Sequence, residues 1–303
     1  MLLRPASLVT LCASLALALG AGCSSSSAQP NATDAGGAGA SEAGSAPCQP
    51  QPGGPTATHS PCVSEVSGTV RDLSGAPLAG ADLTLCGVVC FGGATDPSGA
   101  FRIRVNSALP EGGYVVFAHG RPDHTGLFVR LPAGSAGAVA LPRPIELARL
   151  SAGDAALPSD GGPAATVREG PVSLSVQAGT EWELAFEDLV AEAAGRRLRY
   201  AKVPLDKAPP FAKGAALVYG LAPFQAKPSK PVALTLDETG GLPAGAAVEL
   251  VVMSDDILTN DNKGGLPRVA AKGRVSADGR RIETDPGEGL DVLTWVAVRP
   301  AAR

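Results

Sequence analysis

Val66-Ser67-Gly68-Thr69-Val70-Arg71-Asp72, then Gly75-Ala76-Pro77-Leu78-Ala79-Gly80-Ala81-Asp82-Leu83-Thr84-Leu85, then Thr95-Asp96-Pro97-Ser98-Gly99-Ala100-Phe101-Arg102-Ile103-Arg104-Val105 decide the fold. Each run is short, and each is punctuated by residues that suit tight turns: Gly75 with Pro77, and Asp96-Pro97-Ser98-Gly99. Between the turns, apolar side chains fall on every second residue, as at Phe101, Ile103 and Val105. Side chains alternate across a strand, so this spacing puts one face of each segment into a core. The predicted class is therefore all-β.

Composition agrees. The chain has 303 residues, 38 of them Gly and 27 Pro, and only 4% are aromatic, which calls for frequent turns and few long helices. Once export and spacer segments are set aside, the length suits two domains. All seven lysines lie from Lys202 onward, whereas the stretch from Cys62 to Leu150 balances its acids with arginines alone, which also points to two separately composed units. The net charge of -4 provides no basic field of the kind nucleic acid attracts, so that class of partner is excluded.

The quoted runs resemble the carboxypeptidase regulatory-like domain, a transthyretin-like seven-stranded sandwich. The resemblance extends over about Val63 to Leu150, with further strands expected at Tyr114 to Ala118, Leu127 to Leu131 and Val139 to Leu147. It implies an interaction or scaffold module rather than a peptidase. Some sandwich relatives on bacterial surfaces cross-link a lysine to an asparagine, and a module without lysine cannot do so.

The N-terminus carries Arg4, then an apolar stretch from Leu8 to Leu19, then Gly20-Ala21-Gly22-Cys23. Twelve residues are too few for a spanning helix, which needs roughly 20, so this reads as an export signal. Its end resembles the lipobox of bacterial lipoproteins, which implies a diacylglycerol thioether on Cys23 and a membrane partner. Gly20 stands where the usual Leu would, so ordinary cleavage, for instance after Ala18, is the alternative. Ser24 in place of Asp resembles an outer-membrane sorting signal. Ser24 to about Ser60 is Ser, Ala, Gly and Pro with little to bury, and reads as a disordered tether.

Removing Cys12 with the signal and Cys23 to lipid leaves Cys48, Cys62, Cys86 and Cys90, an even set that suits disulfides in an oxidising compartment. Cys48 most simply pairs with Cys62. Cys86 and Cys90 would lie about 13 Å apart on an extended strand, beyond the roughly 7 Å a bridge tolerates, so bonding them demands a turn that Gly87 can provide. Exchange of partners with Cys48 and Cys62, or a metal or redox role, are the alternatives.

Residues 151–163 are small and Gly/Pro-rich, a linker to a second β module over 164–303. Strands are expected at Val172 to Val176, Leu198 to Val203, Val232 to Leu236, Val248 to Met253 and Leu293 to Val298, with a hairpin at Asp278-Gly279 and a helix-or-strand ambiguity over Trp182 to Ala194. Val172 to Thr180 and Tyr219 to Leu236 resemble the β-sandwich of zonula-occludens proteins, ankyrins and netrin receptors, again interaction modules.

No nucleophile elbow, His-Glu-x-x-His, phosphate loop or dinucleotide fingerprint occurs. The histidines are His59 in the tether and His119 and His124, read as members of a polar loop between strands; as a pair, the last two are the candidates for a metal or a base. Glu181 with Glu183 fits acid/base chemistry or a solvated strand edge. Asp255, Asp256 and Asp261 in an Asp/Asn/Gly-rich stretch are calcium candidates, but they lack EF-hand spacing and an ordinary long turn has the same composition. No cofactor is expected. These observations point to a non-catalytic, lipid-anchored envelope protein, in the outer membrane, that binds a protein or polysaccharide; the alternative is an exported enzyme or enzyme accessory acting on polysaccharide or peptide.

Overall fold

A computed structural model describes residues 48–49, 61–257 and 263–301. The export signal, Cys23, His59, most of the tether and Asp261 lie outside the described residues. What is described belongs to one compact unit, and it is all-β.

The first half places β1 (Cys62–Asp72), β4 (Ala100–Ala108), β7 (Gly137–Ala140) and β8 (Ile145–Leu147) in one sheet. β2 (Asp82–Cys86), β3 (Cys90–Ala94), β5 (Val115–His119) and β6 (Gly126–Arg130) form the facing one. Both turns in the deciding stretch have the same sequence, Asp-x-Ser-Gly-Ala, and close in the same way. Asp72 Oδ1 accepts from the Ser74 hydroxyl and from the amides of Ser74 and Ala76, and Asp96 Oδ1 does so from Ser98 and Ala100. Gly75 and Gly99 sit at φ +91° and +75°, where a side chain is strained. The run read as Val139 to Leu147 is two strands, because Pro142 and Pro144 interrupt it; both pieces pair in parallel with β1.

The second half is a nine-stranded sheet in the order β12 (Arg199–Lys202), β13 (Leu217–Ala222), β19 (Trp295–Pro300), β16 (Ala247–Met253), β17 (Pro267–Val275), β18 (Ile282–Thr284), β15 (Ala233–Leu236), β10 (Val172–Val176), β9 (Ala165–Glu169). Leu174 near one end and Leu221 near the other meet in one core, so the sheet folds over itself. A ribbon of β11 (Trp182–Glu183) and β14 (Lys227–Pro228) flanks it. The ambiguous segment 182–194 resolves into β11 and a five-residue helix, α1 (Phe186–Val190). Gly195 ends this excursion, since a Cβ there would lie 1.9 Å from the Asp188 carbonyl.

Three adjacent strands toward one end of that sheet, β13, β19 and β16, are buried on both faces. Leu217, Tyr219 and Leu221 of β13, Leu250 and Val252 of β16, and Val296 and Val298 of β19 enter the second module's own core. Their alternates, Val218, Val251, Met253, Trp295 and Ala297, belong to a core shared with Phe117, Leu127 and Phe128 of the first half. The two modules are thus joined through a common apolar layer. Residues 151–163 pack on the second module: Leu157 is buried in its core, and the Ser151 amide donates to the Tyr200 carbonyl.

Candidate functional site

The shared layer is built from close approaches that only small residues allow. Phe117 stacks on Phe128 at 4.5 Å and on Phe224 at 5.9 Å. Gly126 makes room for them, since a Cβ there would sit 2.6 Å from the Phe117 ring and 2.7 Å from that of Phe224. Trp295 Nε1 crosses the seam to donate to the Gly126 carbonyl at 2.6 Å. Gly220 lies under the Thr125 methyl, with 2.4 Å left for a Cβ.

At the rim of this seam sits a polar cluster. Arg121, its side chain 11% exposed, donates to the Phe224 carbonyl at 2.8 Å and faces Glu187 and Asp188, each at 3.3 Å. Arg199 donates to the Pro122 carbonyl at 2.6 Å. Burial pushes the Asp188 carboxyl above the usual carboxylate range, against the pull of Arg121 and Arg199. These groups tie α1 to the first module.

His119 is not in the loop where the sequence places it. It is the last residue of β5, 4% exposed, its ring 5.1 Å from that of Phe117. The reason is parity: Val115, Phe117 and His119 share the face that meets the second module, and the Gly120–Thr125 turn begins only after it. Burial, followed by the Arg121 charge, lowers its affinity for a proton; Asp82, 4.0 Å away, and Glu187 oppose this. Among the described residues its Nδ1 has no hydrogen-bond partner. His124 is half-buried in the following turn against Gly120. Neither ring is presented as a base beside a nucleophile.

The cysteines are joined Cys48–Cys62 and Cys86–Cys90. The first bridge, with the Gln49 amide donating to the Asn106 carbonyl and the Ala108 amide to that of Gln49, pins the tether to the edge strand β4. The Cys86–Cys90 pair closes the β2–β3 turn. Glu181 and Glu183 are exposed around a cavity of about 370 Å³ beside Lys227. Asp255 faces the Lys227 ammonium at 2.9 Å. Although burial works against that charge, Asp255, Glu183 and Asp256 together raise the lysine's pKa. Of the calcium candidates, Asp255 is therefore engaged with a fixed cation, and among the described residues no three His, Cys, Asp or Glu are grouped to hold a metal.

A larger concavity, about 650 Å³, lies on the first module and was not foreseen from sequence. Its floor is Ser67–Thr69 of β1 and Ala100–Arg102 of β4; the 141–144 connection forms one wall, with Ala94 and Asp96 opposite. Outward positions of those strands carry Arg71, Arg102 and Arg104, alternating with the buried Val70, Phe101, Ile103 and Val105. The alternation that revealed the core also marks these outward residues, but that Arg102, alone of the three, lines the concavity together with Arg143 needs the fold.

No protein-family model and no curated protein matches the chain. Among solved structures, a Bacteroides uniformis protein provisionally named as carbohydrate-binding aligns over 80% of this chain and 100% of its own, at 10% identity and a TM-score of 0.23. A likeness that weak bears on neither ligand nor activity, and the fold rests on the strands described above.

Proposed function

We propose that this chain is a non-catalytic binding protein of the bacterial cell envelope, held at the outer membrane by an acylated Cys23, whose first module is of the carboxypeptidase regulatory-like kind. The two-sheet arrangement of that module and the Leu19–Cys23 boundary support this assignment. One observation supports the non-catalytic part: His119 and the carboxylates nearest it, Glu187 and Asp188, are committed to the seam between modules. A serine or water nucleophile needs a base within hydrogen-bond reach. His119 is packed against Phe117, while Arg121, Glu187 and Asp188 hold one another. The open groove offers guanidinium groups, hydroxyls and an Asp96 carboxylate already bonded to Ser98 and Ala100. That set recognises a ligand without activating one.

The test is twofold. Intact mass and detergent partition of the mature protein should show an acylated chain starting at Cys23; an unmodified, water-soluble chain contradicts the anchor. Peptide, ester and glycoside panels, with metals supplied, should show no turnover. Turnover lost on His124→Ala, a substitution outside the core, moves the enzyme reading to first place.

A further inference from the structure

We propose that the groove on the outer face of β1 and β4 binds an acidic glycan through the carboxylates of uronate residues. This rests on the binding reading above and gives it a ligand class.

The chain as a whole is acidic, yet this face is not. Arg102 lines the groove and Arg143 stands on its rim, with Arg71 and Arg104 farther along the same strands, against the carboxylates of Glu65 and Asp96 and of Glu146, which is held by Lys207. Arg102 meets Glu65 at 3.4 Å while its side chain stays 71% exposed. Arg104 and Arg143 have no acidic partner among the described residues. Arginine presents a planar fork of donors that matches a carboxylate in two parallel hydrogen bonds, which favours a carboxylate-bearing ligand over a neutral one.

The remaining surface selects between kinds of acid. Across the floor Ser67, Gly68 and Thr69 stand opposite Arg102, Phe101 and Ala100, so the backbone there is already taken up in the β1–β4 ladder. An acidic peptide that binds by adding a strand finds no unpaired backbone on the floor itself, and at the outer edge of β4 the Gln49 segment already takes up the Asn106 carbonyl and the Ala108 amide. What it offers instead is the two hydroxyls of Ser67 and Thr69, which make no hydrogen bond among the described residues, beside an apolar ridge of Leu141, Pro142 and Pro144. Hydroxyl-bearing rings with a C–H face and a carboxylate use all three features. The cavity, about 650 Å³, is within the roughly 300–1,000 Å³ of small-ligand sites.

The experiment uses the detergent-solubilised mature protein, titrated at low salt with polygalacturonate, with its fully methyl-esterified form, and with poly-glutamate. The expected result is binding of the free uronate polymer alone. It should weaken about tenfold or more in Arg102→Ala/Arg143→Ala, as loss of charge-assisted hydrogen bonds implies, and stay unchanged in Arg280→Ala, on the distant Asp278-Gly279 hairpin. Added salt should weaken it as charges are screened. No uronate binding, binding indifferent to the groove variants, or equal binding of poly-glutamate lost in the same variants overturns the proposal. Thr69→Trp, which fills the groove from an outward position, separates the two levels, with Arg102→Glu/Arg143→Glu as the second variant if it misfolds. Esterified polymer bound as tightly as the acid, and lost on filling, leaves a binding site and sinks only the acidic class. No polymer bound and no effect of filling sinks the binding reading as well.

Discussion

Replacing Phe224 by alanine tests whether the two modules share one core. Phe224 belongs to the second module by sequence but is 2% exposed and rests on Phe117 and Phe128 of the first, with ring centroids at 5.9 and 6.0 Å. A buried phenylalanine removes on the order of 150–200 Å² of apolar surface from water. At about 25 cal/mol per Å² this comes to about 4–5 kcal/mol, near the roughly 3–5 kcal/mol seen when a core Phe is truncated and its cavity only partly collapses. Folded domains are stable by only about 5–15 kcal/mol, so the loss is a large part of the total. Urea denaturation should show one transition for the wild type, followed equally by the Trp182 and Trp295 fluorescence and by far-UV circular dichroism, with its midpoint lowered in Phe224→Ala. Phe186→Ala, at a site 72% exposed, should change stability by less than about 0.5 kcal/mol. A cost below about 1 kcal/mol for Phe224→Ala, or two transitions of which only one moves, refutes the shared core.

Four further outcomes are expected. Gly126→Ala adds a methyl that meets Phe117 and Phe224 within 2.7 Å and should cost roughly 1–3 kcal/mol, read as a lowered melting temperature; a neutral result contradicts the close packing. Because burial holds His119 below its ordinary pKa of 6.5, the neutral ring stabilises the fold above that pH, and the contribution is lost as pH falls below 6.5. Asp188, raised by burial, acts in the opposite sense, so the quantity to measure is the stability of His119→Phe minus wild type from pH 8 to 5: it should grow in the variant's favour on acidification, and a flat difference refutes the assignment. Removing the Cys48–Cys62 bridge, 14 residues apart, by double Cys→Ala should cost about 3 kcal/mol from the loop freed in the unfolded chain, while a thiol reagent should label neither cysteine in the denatured, unreduced wild type. Cys23→Ala should move the protein from the detergent to the aqueous phase; continued partition into detergent argues against the anchor.

The strand pattern of the first module was legible because its sheets are apolar on one face and polar on the other, and Phe101, Ile103 and Val105 show this directly. The second module was less so. β13 reads Leu-Val-Tyr-Gly-Leu-Ala, without alternation, and no strand was expected at Leu217; the reason is that both of its faces are covered, one by the second core and one by Phe117 and its neighbours. An unbroken apolar run therefore held the information that the modules pack together. The same physics explains His119. A histidine beside Gly, Arg, Pro and Asp looks like loop, and it is the pairing with Asp82 on one side and Gly126 on the other that extends β5 to include it. The cysteine pairs were accessible from the even count left once Cys12 and Cys23 are set aside, although exchange of partners between the two pairs stayed open until the fold placed them. The groove was not, because Arg102 and Arg143 lie 41 positions apart and are brought together by the parallel pairing of β7 and β8 with β1.

The measurement that tests binding without turnover most directly follows the polymer as well as the protein. Polygalacturonate is incubated with the mature protein, then separated by size-exclusion chromatography. Co-elution with the protein, together with recovery of the polymer at its starting chain length, is the predicted result. Shortened chains, or a polymer that never co-elutes, contradict it.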